Sequence, residues 1–285
     1  MISLRELGAW RGIAAPWSTD SMVEQDFLIC RIVEAIFQDK FLRSQVAMRG
    51  GTVLHKGHLP PASRYSEDID LVLVGDRPKS HIKAALTRVI TPLMGAPHES
   101  FFTNVNLAVR NIRFRSKILR STYLYDPANT ENALGRLKVE TNVNETKSFY
   151  PLTTVSMDVP NGEDGSRTIT VQSYDVNEML GTKLRALLQR DHGRDLFDMW
   201  CAWERSKADP SIGVDPVRVG KAFRFYMAHE GSSFTASKLK AELDRRLTST
   251  KFLKDLDNYL PVGQTYSPRE AAAEFYHVYL PCIDA

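Results

Sequence analysis

The residues best suited to chemistry lie in one window of the chain. Arg49-Gly-Gly-Thr-Val-Leu-His-Lys56 is followed, after a Pro60-Pro61 loop, by Arg64-Tyr-Ser-Glu-Asp-Ile-Asp-Leu71. Ile69 to Val74 has the β-branched and leucine content of a buried strand and stops at Gly75-Asp76. Side chains two apart on a strand share a face, so Asp68 and Asp70 set two carboxylates side by side. Such a pair repels in water-poor surroundings unless a cation sits between them. Hard oxygen ligands of this kind suit Mg²⁺, which usually takes phosphate oxygens as well. Upstream, Gly50 and Gly51 allow a sharp turn and present free amides that can cradle a triphosphate at a helix start. Ser66, two residues before Asp68, shares its face and can bind a triphosphate oxygen or a metal-bound water. Metal, phosphate grip and strand-borne carboxylates together imply phosphoryl or nucleotidyl transfer. Taken singly, a D-x-D is commonly a solvated pair and a Gly-Gly only a turn.

Several elements must position these groups. Ser21 and Glu24 have capping-box spacing and open a helix to about Asp39, whose stripe Phe27, Leu28, Ile32, Ala35 and Ile36 is expected to be buried. Alternation from Val105 to Lys117 predicts one strand, Leu137 to Val143 another, and 153–159 and 168–171 two more across the turn-rich Asn161-Gly-Glu-Asp-Gly-Ser166. The pattern then turns helical. Asp175 and Glu178 have capping-box spacing ahead of Met179, Leu180, Leu184, Leu187 and Leu188. A second helix opens at Arg194, and others are expected over 215–229, 235–248 and 268–279. The fold class expected is α+β, a mixed sheet with flanking helices over residues 1–172 followed by a mainly helical domain over 173–285.

Composition narrows the function classes. With 43% apolar and 25% charged residues the chain reads as globular, and 37 Lys+Arg against 34 Asp+Glu leave a net charge of +3. That is too small for the whole molecule to act as a polycation, so nucleic-acid binding must come from a local patch. Arg110, Arg113, Arg115, Lys117 and Arg120 place five cations within eleven residues and no acid among them, a stripe suited to RNA phosphates or, equally, to protecting a strand edge. Cys30, Cys201 and Cys282 are too scattered for a zinc site or a disulfide framework. No apolar run is long enough to span a membrane, and a reducing, cytoplasmic setting is expected.

The order of a Gly-Gly turn, a short helix and an acidic pair opening a strand is similar to that of the nucleotidyltransferase fold of the DNA polymerase β superfamily. Residues 49–71 resemble more specifically the AbiEii-type toxins, including the MenT nucleotidyltransferases, through Gly50-Gly51-Thr52, Leu54, Arg64, Ser66, Asp68, Ile69 and Asp70. The same family has a later helix Lys and an Arg-Asp-x-x-Asp segment, matched here by Lys183 and by Arg194-Asp195-Leu-Phe-Asp198.

The resemblance implies a catalytic set of Asp68, Asp70, Lys183 and Asp195, with Asp198 as the alternative to Asp195. It implies a nucleotide-binding set of Gly50, Gly51, Thr52, Lys56, Arg64, Ser66 and Lys183. Asp68 and Asp70 would hold Mg²⁺. Lys183 would hold nucleotide phosphates, and Asp195 or Asp198 would orient Lys183 or act on the incoming hydroxyl. Glu140, on the predicted strand at 137–143, is the candidate third carboxylate. The activity implied is transfer of NMP from an NTP, with pyrimidines preferred, to the 3′ end of tRNA by a monomeric toxin neutralised by a separately encoded antitoxin. Transfer to a small-molecule or protein hydroxyl, or an idle nucleotide- or RNA-binding module, are the alternatives.

Overall fold

The apolar stretches Val46–Met48 and Leu71–Leu73 are buried throughout, and the two central strands they belong to carry the glycine turn and the acidic pair at their ends. In the computed structural model they are β1 (Val46–Arg49) and β2 (Asp68–Leu73), antiparallel at the centre of a seven-stranded sheet. The description covers residues 2–284 apart from 110–111, 129–133, 163–164 and 230–233, with 105–109 and 112–116 described by backbone alone. The other strands are β3 (Glu99–Val109), β4 (Ile112–Tyr125), β5 (Gly135–Asn142), β6 (Thr153–Pro160) and β7 (Ser166–Ser173), in the order β3-β4-β5-β2-β1-β7-β6. β2 pairs in parallel with β5, and β1 in parallel with β7, so the sheet is mixed.

The single strand expected over 105–117 is instead a hairpin. Val109 pairs with Ile112, and the ladder runs back to Glu99 opposite Thr122. A reversal of this length leaves the two-residue alternation unbroken in sequence, which is why periodicity alone reads through it.

Eleven α-helical segments are found among the described residues. α1 (Leu4–Ile13) and α2 (Asp20–Gln38) pack together, and the buried stripe of α2 includes Phe27, Leu28, Ile32 and Ile36 as expected. The cap of α2 differs from the expectation: Thr19 accepts from the Met22 amide at 3.3 Å, while Ser21 only shares a hydrogen bond with the Thr19 hydroxyl. Glu24 accepts from the Ala128 amide instead of closing a capping box. α3 (Leu42–Gln45), α4 (Gly51–Val53) and α5 (Lys79–Met94) complete the first half.

Next come α6 (Val176–Gln189), α7 (Gly193–Ala208), α8 (Pro216–His229), α9 (Ala236–Arg246), α10 (Thr250–Leu253) and α11 (Pro268–Val278). Asp175 caps α6 by accepting from the Asn177 amide at 2.9 Å. Glu178 does not reach back to it. It is fully buried and accepts from the amides of Phe149 and Tyr150 and from the Tyr226 hydroxyl, tying a loop and α8 to the start of α6. The far end of α6 is closed from α9, where buried Arg246 donates to the carbonyls of Leu187, Leu188 and Arg190. Helices that follow α6 therefore anchor both the start and the end of the helix that carries Lys183. No helix is long and apolar enough to cross a membrane, among the described residues.

Candidate active site

The glycine turn and the acidic pair meet because β1 and β2 are neighbours, with Arg49 opposite Asp70. Gly50 has φ of 90°, in the left-handed region that favours glycine, and a Cβ there would lie 2.0 Å from Oδ2 of Asp70. A Cβ on Gly51 would come within 2.7 Å of Arg64 and 2.9 Å of the Ser66 hydroxyl. Both glycines thus let the acidic strand and its preceding loop close onto the turn. Thr52 locks that closure by donating to the Asp68 carbonyl at 2.7 Å, with its hydroxyl 3.0 Å from that of Ser66. The helical turn after Gly50 is α for three residues and then widens to a π turn over Leu54–His58. Any anion grip here comes from local amides, since so short a helix has little dipole.

Asp70 pairs in register with Glu140 on β5, and Asp68 with Lys138. The third carboxylate is therefore brought beside the pair, on the strand where it was expected. Burial, then the charge of Asp70, pushes the Asp68 carboxyl up to about 6, against the opposing Lys138 ammonium 3.7 Å away. Burial and then Glu140 raise Asp70, against Lys183, Arg190 and Arg49. Glu140 accepts from Arg120 Nε at 2.6 Å. Asp68 and Asp70, disfavoured as anions and with the Glu140 carboxylate beside them, are hard oxygen donors that fit a divalent cation. Among the described residues no three such side chains converge closely enough to hold a metal alone, so a cation would complete its shell with water and phosphate oxygens, as Mg²⁺ does.

Facing this strand, α6 and α7 bring in a buried ion cluster. Lys183 is only 7% exposed, with Nζ 2.7 Å from Asp198 and 3.3 Å from Asp195. It is not a surface lysine, because two fully buried carboxylates one helical turn apart draw it inward. Asp195 also takes a two-pronged contact from Arg190, at 2.7 and 2.9 Å. Asp198 takes one from Arg64, at 2.6 and 2.8 Å, and accepts from His55 Nε2 at 2.8 Å. Burial pushes His55 down to about 4, so it is neutral at pH 7 and carries its proton on Nε2. Despite burial, Arg190 and Lys183 hold Asp195 down to about 2, and Arg64 and Lys183 hold Asp198 well below the carboxylate range. Asp195 orients Lys183 and Arg190, and Asp198 orients Lys183 and Arg64. Arg194, at the start of α7, pairs with Glu67 at 3.5 Å and Asp255 at 3.8 Å.

Between the two sets lies a cleft of about 330 Å³ that includes Arg49, Gly50, Asp70, Arg120, Glu140, Lys183, Arg185 and Arg190 in its lining. Of the residues expected to bind nucleotide, Gly50 and Lys183 are in this lining; Gly51, Thr52 and Ser66 are not, and Lys56 and Arg64 are committed to other partners. Lys56 is paired with buried Asp26 at 2.9 Å, and Asp26 also accepts from the indoles of Trp10 and Trp17. Arg64 is 3% exposed and spends its fork on Asp198. Of the basic stripe, Arg110 and the side chains of Arg113 and Arg115 lie outside the described residues. Lys117 is exposed beside Phe102, and Arg120 leaves the stripe for Glu140. Sequence reasoning gave no role to Arg49, Glu145, Arg185 and Arg190. Arg190 had a signal, being seven residues, two helical turns, after Lys183. Glu145 had none, since its partners are far away in the chain.

The solved structure of MenT4, nucleotidyltransferase toxin Rv2826c from Mycobacterium tuberculosis H37Rv, is similar over 98% of this chain and 90% of that one, with a TM-score of 0.55 at 15% identity. The architecture is thus that of a MenT-type nucleotidyltransferase fold. The profile of the family described as nucleotidyl transferase AbiEii toxin, type IV TA system, matches residues 31–274, and the chain belongs to that family. No curated protein matches the chain by sequence.

Proposed function

We propose that this AbiEii-family chain is a Mg²⁺-dependent toxin that transfers NMP from an NTP, with pyrimidines preferred, to the 3′ hydroxyl of tRNA, acting as a cytoplasmic monomer. Blocking the acceptor end would stop aminoacylation and translation, and a cognate antitoxin would restrain it. Residues 1–172 supply the carboxylates and 173–285 supply Lys183 and its supports. One observation carries this reading: Asp70 and Glu140, in register on neighbouring strands with Asp68 two residues before Asp70, line one side of a cleft, while Lys183 and Arg190 face Asp70 from the other.

In the reaction the acceptor oxygen bonds to the α-phosphorus, the bond to the β-phosphate bridging oxygen breaks, and pyrophosphate leaves with that electron pair. The hydroxyl proton passes to the carboxylate side. Asp68 and Asp70 would hold Mg²⁺, which supplies charge neutralisation at the attacked phosphorus. Lys183 and Arg190, fixed by Asp195 and Asp198, offer cations to the departing phosphates without having to reorganise. Incubation with Mg²⁺, each labelled NTP and either total tRNA or a panel of small acceptors tests the proposal. Label on tRNA is expected. Label confined to a small molecule or to the protein itself would move the assignment to another acceptor, and no transfer with any acceptor would point to a binding module.

A further inference from the structure

One wall of the cleft carries a carboxylate that the reaction above does not use. Glu145 follows β5 on a turn fixed by Asn142, whose Oδ1 accepts from the amides of Asn144 and Glu145 at 2.9 and 3.0 Å. Its Oε1 accepts from Arg185 Nη1 at 2.6 Å. Its Oε2 accepts from Arg185 Nη2 at 3.0 Å, from Arg49 Nη1 at 3.1 Å and from Asn142 Nδ2 at 3.3 Å. Arg49 precedes Gly50 and stands opposite Asp70, while Arg185 follows Lys183 by two residues on α6. All three charged side chains line the cleft.

Two guanidiniums from separate elements repel when brought together, and a single carboxylate between them makes the juxtaposition stable while leaving the trio at net +1. Arg49 and Arg185 also lie over aromatic rings, those of Tyr174 at 5.9 Å and Tyr226 at 4.9 Å. The Tyr226 hydroxyl is in turn anchored on Glu178 at 2.6 Å. The rings restrict where each guanidinium sits, and the shared carboxylate restricts how it is rotated. A plain ion-pair staple between β1 and α6 would not need a cleft-facing position. Donors fixed before substrate arrives are most effective where charge grows during reaction, and in nucleotidyl transfer that is the leaving pyrophosphate.

We propose that Glu145 is a positioning residue that holds Arg49 and Arg185 as a fixed pair against the pyrophosphate leaving group. This rests on the reading of the cleft as the NTP site. The test is titration with inorganic pyrophosphate in metal-free buffer, together with NTP kinetics, on wild type, Glu145→Gln, Glu145→Asp and Asn142→Ala. Glu145→Gln adds net positive charge but turns an amide donor towards a guanidinium. It is expected to bind pyrophosphate about tenfold more weakly and to raise KM for NTP in step. Glu145→Asp should recover part of the loss. Asn142→Ala, which loosens the turn without changing charge, should shift affinity in the same direction, and it keeps the test decisive should Glu145→Gln not fold. Tighter binding by Glu145→Gln, as added charge alone would give, or unchanged affinity with only a lowered melting temperature, would overturn the proposal. Absence of pyrophosphate and NTP binding by the wild type would instead remove the cleft assignment on which it rests.

Discussion

Asp70 is held among charges that do not suit it without a cation. Its carboxyl is raised by burial and by Glu140, and among the described residues it has no hydrogen-bond or ion-pair partner. Asp70→Asn should therefore leave the metal-free melting temperature unchanged or higher, while Mg²⁺ should raise the melting temperature of the wild type and not of the variant. A metal-induced rise of equal size in both proteins would place the cation elsewhere. Lys183 presents the opposite case. Removing it leaves Asp195 and Asp198 short of a buried counter-charge, so Lys183→Ala should lose about 3–5 kcal/mol of stability along with its transfer activity. Denaturant unfolding decides this, and an unshifted midpoint would contradict the buried cluster. A surface role, which the helix pattern alone suggests for this lysine, would cost far less. The acidic pair and the glycine turn are legible because their partners are near in sequence. The burial of Lys183 and the grip of Glu145 are not, because they depend on pairings between residues 12 and 40 positions apart.

At the scale of elements, α2, α6, α7, α8, α9 and α11 were legible from their 3.6-residue period to within a few residues, whereas α1, the short α3 and α10, and the 16-residue α5 were not read from the sequence. Their caps were less so, since Glu24 and Glu178 were captured by tertiary partners and not by their own helix ends. The β3–β4 hairpin was hidden by unbroken alternation. The basic stripe on this hairpin has two readings from sequence, contact with RNA phosphates or protection of a strand edge, and Arg120 is committed to Glu140. Arg113→Glu with Arg115→Glu should raise KM for tRNA and flatten its salt dependence, by about 0.7–0.9 in log–log slope for every phosphate no longer neutralised, with NTP binding hardly changed. An unaltered salt slope would mean that these residues protect a strand edge and that tRNA docks elsewhere.

For the whole molecule, buried titratable groups set how stability depends on pH. Burial pushes His55 and His58 down to about 4 from an ordinary 6.5, so the unfolded chain binds more protons and stability falls as pH drops through that range. Asp68 opposes this, because its raised carboxyl takes up a proton in the folded state between about 6 and 3.8. Below 4.5 the loss steepens as Glu145 and Asp195, each held down to about 2, are forced towards protonation. Urea midpoints in metal-free buffer should decline from pH 6.5 downwards, more steeply for Asp68→Asn, which lacks the opposing group. A midpoint that rises on acidification would contradict these placements. A sheet with helices in the first half and a helical second half were legible from the pattern of the sequence, and the mixed character of the sheet from the family resemblance, but the tail's grip on α6 through Arg246 required the folded chain.

In the proposed function this cleft moves NMP from NTP to tRNA on the carboxylates of β2. The most direct measurement is a single-turnover assay with α-labelled NTP, Mg²⁺ and total tRNA, run with wild type and Asp70→Asn side by side. Label should join the tRNA 3′ end with release of one pyrophosphate per transfer in the wild type, and neither should occur in the folded variant. Transfer at the wild-type rate by Asp70→Asn, or no label on tRNA from any NTP, would contradict the account.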